Sequence, residues 1–495
     1  MPSPHASPVC VKQHEVIIIG AGFGGIGLAA RLLQIGISDL LVLEKSADVG
    51  GVWAANRYLG AACDVPSHLY SFSFAPNPHW SRRFAPQAEI LRYLQDTARA
   101  TGVLPHVRLN TEVQGARWLQ ELALWEVTLA SGETVRCRVL VSAVGQLSRP
   151  LVPTIAGQDQ LGVPQFHSAQ WDAGVDLAGK TVAVVGTGAS AIQLVPELAR
   201  MAKRLLVFQR TPAYVIPRPD AEFAPFTRAR FARWPWLQRI YRWGIYWQYE
   251  LRGLGFTRFA FLLEWLGKRQ FEGMLRAQVA DPQLREALTP RYAIGCKRVL
   301  MSNDYFAALA KPHVQLVQQA LQRMEPQTLL TADGQRHAVD AVVYGTGFAA
   351  TSLLAPMRIC GVGGTDLHAR WQQQGAAAYL GLSVPGFPNF FMLYGPNTNL
   401  GHNSILVMLE AQIDHVLRCV YKLRKNGARA MELREPVLQR FHASMRQRFA
   451  HTVFAAGCQS WYLDKDGHSP TNWPGFTVSY CLRARYGSLG VYRFA

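Results

Sequence analysis

Two glycine-rich turns carry the first chemical signal in this chain. One runs Gly20-Ala21-Gly22-Phe23-Gly24-Gly25, the other Gly186-Thr187-Gly188-Ala189-Ser190-Ala191. In such a turn the first glycine makes the bend and the second lets backbone amides approach a pyrophosphate. The third small residue, Gly25 or Ala191, allows helix and strand to pack closely. The helix that follows presents its positive end to the anion. One such turn is weak evidence, because any tight turn favours glycine; two in the same setting are much stronger. Twenty-four residues after the first glycine stands Glu44 in one segment and Arg210, followed by Thr211, in the other. A carboxylate accepts from ribose hydroxyls. An arginine instead forms charge-assisted bonds with a 2′-phosphate that a carboxylate would repel. The first site reads as FAD and the second as NADPH. The plainer reading of Arg210 is a solvated residue at a strand end.

The elements that must position these residues are legible as repeats. Glu15–Ile19 and Thr181–Val185 are short apolar runs, each followed by the turn, a helical stretch and a second apolar run, Leu40–Glu44 or Leu205–Arg210. Each is a strand–helix–strand unit with buried parallel strands. Two further apolar runs ending in small residues, Arg138–Gly145 and Asp340–Phe348, bracket the second unit. The expected fold is α/β, with two Rossmann-like dinucleotide-binding domains, the second inserted in the first. The division is 1–155 for the first part of the FAD domain, 156–335 for the NADPH domain and 336–495 for the return. Residues 220–290 are rich in Trp, Tyr, Phe and Arg, as in Trp234-Pro235-Trp236, and read as a helical insertion. Its bland account is ordinary packing; the sharper one is a surface for a membrane or a partner.

Composition sets the outer limits. The 495 residues suggest two to four domains. An apolar fraction of 49% excludes a disordered or fibrous chain. No run approaches a spanning length, and the N-terminal segment has no secretory pattern, so a cytoplasmic protein is expected. Eight scattered cysteines without a C-x-x-C pair or zinc spacing fit free thiols in a reducing compartment and argue against a bound metal. A net charge of +18 is the odd value. It invites a polyanion, yet no nucleic-acid motif accompanies it.

Further motifs make the sequence resemble the class B flavoprotein monooxygenases, and within them the Baeyer–Villiger monooxygenases, from about residue 14 to 480. They are Gly50-Gly51-Val52-Trp53, Arg57-Tyr58, Cys63-Asp64-Val65-Pro66-Ser67 with Tyr70 beyond, Gly295-Cys296-Lys297-Arg298, and Ser460-Trp461-Tyr462. The family fingerprint F-x-G-x-x-x-H-x-x-x-W-(P/D) is met at His167, Trp171 and Asp172. Leu161 replaces the aromatic, and the glycine comes one place early at Gly162, with Val163 in its slot.

The resemblance implies that NADPH reduces FAD, that reduced flavin and O₂ form a C4a-peroxyflavin, and that a ketone becomes an ester or lactone. It makes Arg298 the fixed cation of the active site and Asp64 the carboxylate that holds it. Alternatively, Asp64 serves an Asx-turn and Arg298 is a surface arginine. For FAD it implies Gly20, Gly22, Gly25, Glu44, Gly51, Trp53, Asp64, Tyr70 and Val113. For NADPH it implies Gly186, Thr187, Gly188, Ser190, Ala191, Arg210, Thr211, Lys297, Arg298 and Trp461, the last otherwise a core tryptophan. His167 is expected in the hinge, not as a base. The implied partners are a ketone and O₂, with no nucleic acid, and the chain is a monomer or homodimer. The alternative function is oxidation of N or S in amines or sulfides. A disulfide reductase would need a cysteine beside Cys63.

Overall fold

The computed structural model describes residues 11–257, 259–450, 452–453 and 469–495. Strand β1 (Gln13–Ile19) has Val16, Ile17 and Ile18 wholly buried, so apolar side chains cover both faces, as an interior parallel strand requires. It passes through the first glycine turn into α1 (Phe23–Gln34) and returns as β2 (Leu40–Leu43), parallel to β1. After α2 (Val52–Ala55) and α3 (Gln87–Ala100), β3 (Val107–Arg108) adds outside β2. An antiparallel meander of β4 (Val113–Leu119), β5 (Leu124–Leu129) and β6 (Thr134–Ser142) brings the chain back beside β1.

The second unit opens with β7 (Gln165–His167) and repeats the pattern in β8 (Thr181–Val185), α4 (Ala191–Met201) and β9 (Arg204–Phe208). β10 (Val215–Ile216) leads into the helices α5 (Pro225–Arg233), α6 (Pro235–Thr257), α7 (Ala260–Gln278) and α8 (Pro282–Ala287), which is the expected helical insertion. β11 (Leu300–Met301) pairs with β10; α9 (Tyr305–Leu309) and β12 (Val314–Val317) follow. The hairpins of β13 (Leu321–Glu325), β14 (Thr328–Thr331) and β15 (Arg336–Ala338) precede β16 (Ala341–Tyr344). The sheet order is β12-β9-β8-β16-β7, all parallel.

This order corrects one expectation. The return to the first unit does not begin at 336, because β16 pairs with β8 and β7 inside the second sheet. All four of its residues are buried, and an interior parallel position covers both faces. The two crossings between units run side by side: Leu151 N donates to Gly347 O at 2.9 Å and Ala349 N to Arg149 O at 3.0 Å.

Beyond the second crossing, β17 (Arg358–Cys360) adds beside β4. After α10 (Leu367–Gln374), β18 (Phe390–Met392) lies parallel to the C-terminal half of β6. α11 (Ile405–Lys425) packs on α1 across Gly27, where a Cβ would stand 3.0 Å from Ile413 Cδ1. β19 (Met431–Leu433), α12 (Glu435–Phe449), α13 (Thr477–Tyr486) and β20 (Tyr492–Phe494) complete the chain, with β19 antiparallel to β20. The first sheet therefore runs β17-β4-β5-β6-β1-β2-β3, with β18 beside β6. Among the described residues no helix is long and apolar enough to cross a membrane.

The cysteines depart from expectation at one place. Cys63, Cys137, Cys360, Cys419 and Cys481 are free, but Cys296 is disulfide-bonded. Spacing alone does not disclose which cysteines bond.

Candidate active site

The first glycine turn is built to be bare. Gly20 has φ +101°, and a Cβ on it would lie 2.8 Å from Ala143 O. At Gly25 a Cβ would come within 1.8 Å of Gly20 O, so helix α1 can start this close to β1 only without a side chain there. Gly51, at φ +55°, faces Gly22; its Cβ would be 2.9 Å from Gly22 Cα. Glu44 at the end of β2 is buried, and its carboxylate accepts from Ala21 N at 2.7 Å and Ser46 N at 2.9 Å. Each oxygen keeps a lone pair for a ribose hydroxyl. Trp53 Nε1 donates to Tyr70 Oη at 3.3 Å, and the Tyr70 ring also meets Phe23 edge-on. Burial pushes the Tyr70 hydroxyl well above its ordinary pKa, so it stays protonated. Val113 is buried at the start of β4. The bare loop, the buried acid and the aromatic wall fit FAD.

The second turn repeats the geometry with an open rim. Gly186 has φ +110°, while Gly188 and Ala189 are exposed. Ala191 Cβ fills the space above Gly345, where a further Cβ would be 3.1 Å away. Thr187 Oγ1 donates to Thr211 O at 3.2 Å, tying the turn to the end of β9, and Ser190 precedes α4. Arg210 is exposed beside it. Lys297 Nζ lies 4.8 Å from the Tyr292 ring centroid. Its pKa is pushed down by burial and then by the charge of Arg210. Two converging cations fit a dianionic 2′-phosphate.

Asp64 and Arg298 meet between the units. Arg298 donates to Asp64 Oδ2 from Nε at 3.0 Å and from Nη2 at 2.5 Å. The side chains are 31% and 35% exposed, so the pair is accessible to solvent and reactants. Asp64 is held by its loop: Cys63 N donates to Ala85 O at 3.0 Å and Ser67 N to Arg83 O at 2.7 Å. Arg298 is carried by the second unit, where Leu300 N bonds Tyr214 O at 2.9 Å. The neighbouring Cys63 thiol is buried, and burial with the Asp64 charge pushes its pKa up. It is neither thiolate nor paired, which leaves the disulfide-reductase alternative without its chemistry.

The imperfect fingerprint is accommodated. Leu161 is wholly buried against Met324 and Leu329, and Gly162 takes φ +71°. His167 is buried, its Nδ1 accepts from Ala169 N at 3.1 Å, and burial lowers its pKa. It ends β7 in the second sheet and caps the short helical turn Ser168–Gln170. Trp171 meets Phe166 edge-on at 5.2 Å. Trp461 lies outside the described residues.

Three residues that sequence reasoning missed fasten the site. Gln193 of α4 accepts from Tyr58 Oη at 2.9 Å and donates to Ala62 O at 3.0 Å, joining the second unit to the loop before Asp64. Arg242 of α6 donates to the carbonyls of His68 at 2.5 Å and Ser71 at 3.0 Å. Glu250 of α6 accepts from Asn403 Nδ2 at 2.7 Å and Val478 N at 2.9 Å. No motif marks them: Gln193 shares the polar side of α4 with Glu197 and Arg200 and reads as an ordinary surface residue.

Residues 17–237 match the family model described as pyridine nucleotide-disulphide oxidoreductase. A Baeyer–Villiger monooxygenase of Streptomyces coelicolor is 43% identical over 98% of this chain and 93% of its own length. A second, of Pseudomonas aeruginosa, is 41% identical over 99% and 93%. The crystal structure of OTEMO in complex with FAD and NADP superposes with a TM-score of 0.85 at 30% identity, covering 97% of this chain and 99% of that one. With two cofactor cradles and a pair of opposite charges between them already in place, identity at this level over nearly the full length decides the matter: the chain belongs to the Baeyer–Villiger monooxygenase family.

Proposed function

We propose that this chain is an FAD-containing, NADPH-dependent monooxygenase that uses O₂ to convert ketones to esters or lactones, with Arg298 and Asp64 as its catalytic residues. FAD, reduced by NADPH, supplies the oxygen-transferring chemistry when bound. Gly20, Gly22, Gly25, Gly51 and Glu44 would hold it, with Trp53, Tyr70 and Val113 beside it. Gly186, Thr187, Gly188, Ser190, Ala191, Arg210, Thr211 and Lys297 would hold NADPH. The chain divides at about 155 and just after Tyr344, where the crossings pair.

The observation that carries this reading is the two-bond contact of Arg298 with Asp64 across the units. Negative charge grows on oxygen as it adds to a carbonyl, and a cation already in place stabilises that charge without reorganisation. Arginine suits the task because it keeps its protons at any working pH. Asp64 fixes the plane of the guanidinium. The start of α11, capped by Ser404 beside Leu69, adds a positive helix end near Tyr70.

The test is a product assay on the FAD-loaded enzyme with NADPH and O₂, across cyclic, linear and aryl ketones and one thioether. Ester or lactone is expected from at least one ketone. Sulfoxide from the thioether with no ester from any ketone would overturn the reading in favour of the N- or S-oxidising branch.

A further inference from the structure

We propose that the α5–α7 face of the helical insertion docks on the surface of an anionic lipid bilayer. Among the described residues, twelve of the nineteen exposed large hydrophobic side chains fall between Phe226 and Leu266. They are not scattered. On α6, Trp236, Ile240, Trp243, Trp247 and Leu251 are 57, 61, 61, 44 and 61% exposed. At about 100° per residue these five lie within an arc of roughly 80°, a continuous stripe along one side of the helix. The opposite side holds Gln238, Ile245 and Tyr249, all buried against the protein. The helix is amphipathic in reverse: its outward face is the apolar one, and α7, packed beside it, also exposes Phe261 and Trp265. A monomer surface seldom leaves so large an apolar patch uncovered.

Charge selects the occupant. Between Pro225 and Thr257 the sequence has six arginines and one acid, Glu250. Glu250 is buried and turned to Asn403 and Val478. Arg242 also points inward, while Arg230, Arg233 and Arg239 are exposed on α5 and α6 near the apolar stripe. The acids of α7 are already engaged: Glu264 pairs with Lys268 at 2.6 Å and Glu272 with Arg276 at 3.4 Å. A second copy of the chain meeting this face about a two-fold axis would set arginine against arginine with no exposed carboxylate on α5 or α6 between them. A bilayer presents what both halves of the surface need. Trp side chains settle at the headgroup boundary, the aliphatic residues reach the acyl region, and arginines extend to lipid phosphates. This places a share of the +18 charge where it meets a polyanion other than the cofactors.

The FAD-loaded full chain is mixed with vesicles of phosphatidylcholine alone or with about one third phosphatidylglycerol, then sedimented at low and high salt. Binding at least about tenfold stronger to the anionic vesicles, weakened by salt, is expected, with a blue shift of tryptophan emission. The exposed pairs Trp243→Ser with Trp247→Ser, and Arg230→Glu with Arg239→Glu, are each expected to cut binding about tenfold or more. Both variants keep their NADPH oxidation with a water-soluble ketone, which shows them folded. Absence of binding to anionic vesicles, or binding that neither variant weakens, overturns the proposal. So does a dimer in sedimentation velocity that becomes monomeric in the Trp variant, since the face would then be covered by a second copy.

Discussion

Replacing Arg298 by alanine separates the two half-reactions assigned to this site. The side chain donates twice to one oxygen of Asp64, and each partner is about one third exposed. Water can therefore take its place against Asp64, and at this exposure the pair is worth only about 1 kcal/mol of stability or less. Loss of activity in Arg298→Ala will thus not come from unfolding, and its melting temperature is expected within a few degrees of the parent. The chemical cost is larger. Removing one preorganised donor from a developing oxyanion lowers rates by about 10²–10³-fold. Hydride transfer from NADPH does not create that charge, so flavin reduction should survive within about tenfold. Stopped-flow absorbance reads flavin reduction, and chromatography reads ester formed per NADPH consumed. Arg298→Lys restores a charge without the planar two-bond contact and should recover only part of the yield. An ester yield per NADPH unchanged in Arg298→Ala would refute the reasoning, whatever the reduction rate.

The other predictions concern recognition, coupling and pH. Arg210→Ala or Lys297→Ala removes one charged contact to the 2′-phosphate, worth about 1.5–3 kcal/mol, so KM for NADPH should rise about 10–100-fold while KM for NADH stays within about twofold; steady-state kinetics with both cofactors checks this. Gln193→Ala leaves the Tyr58 hydroxyl and the Ala62 carbonyl without their partner, and should cost about 1–3 kcal/mol in urea unfolding and raise proteolysis in residues 58–64. Burial lowers the pKa of His68 and of His415 to about 4, with the charges of Arg242 and Arg418 adding to it. Because the unfolded chain takes up these protons first, stability is full above about pH 6.5 and falls towards pH 4 by about 1.4 kcal/mol per pH unit for each histidine. Urea melts between pH 7 and 5 should show this slope, reduced in His68→Asn; an unchanged slope would remove His68 as a source.

What was legible in the sequence was what chemistry imposes locally. A pyrophosphate turn needs glycine at fixed spacing, so Gly20, Gly25 and Gly186 announce themselves, and the acid or arginine that ends the second strand follows at one offset. Asp64 and Arg298 became visible only through resemblance: 234 residues separate them, and no periodicity links a loop of one unit to a strand entry of another. Topology hid in the same way. The run at 341–344 reads equally well as a strand of either sheet, since burial on both faces describes both positions, and only pairing decides between them.

The helical insertion was legible as composition and illegible as geometry. Its Trp and Arg content is plain, but the same residues would compose a buried helix. The difference lies in which side of α6 faces the protein, and polar residues decide that. Arg242 donates to the carbonyls of His68 and Ser71, and Glu250 accepts from Asn403 and Val478, so two charged side chains turn inward. Each would be costly to bury without those partners, and with them the helix is locked in rotation. The apolar stripe is then forced outward. The segments gripped by Arg242 and Glu250 adjoin Asp64–Tyr70 and the start of α11.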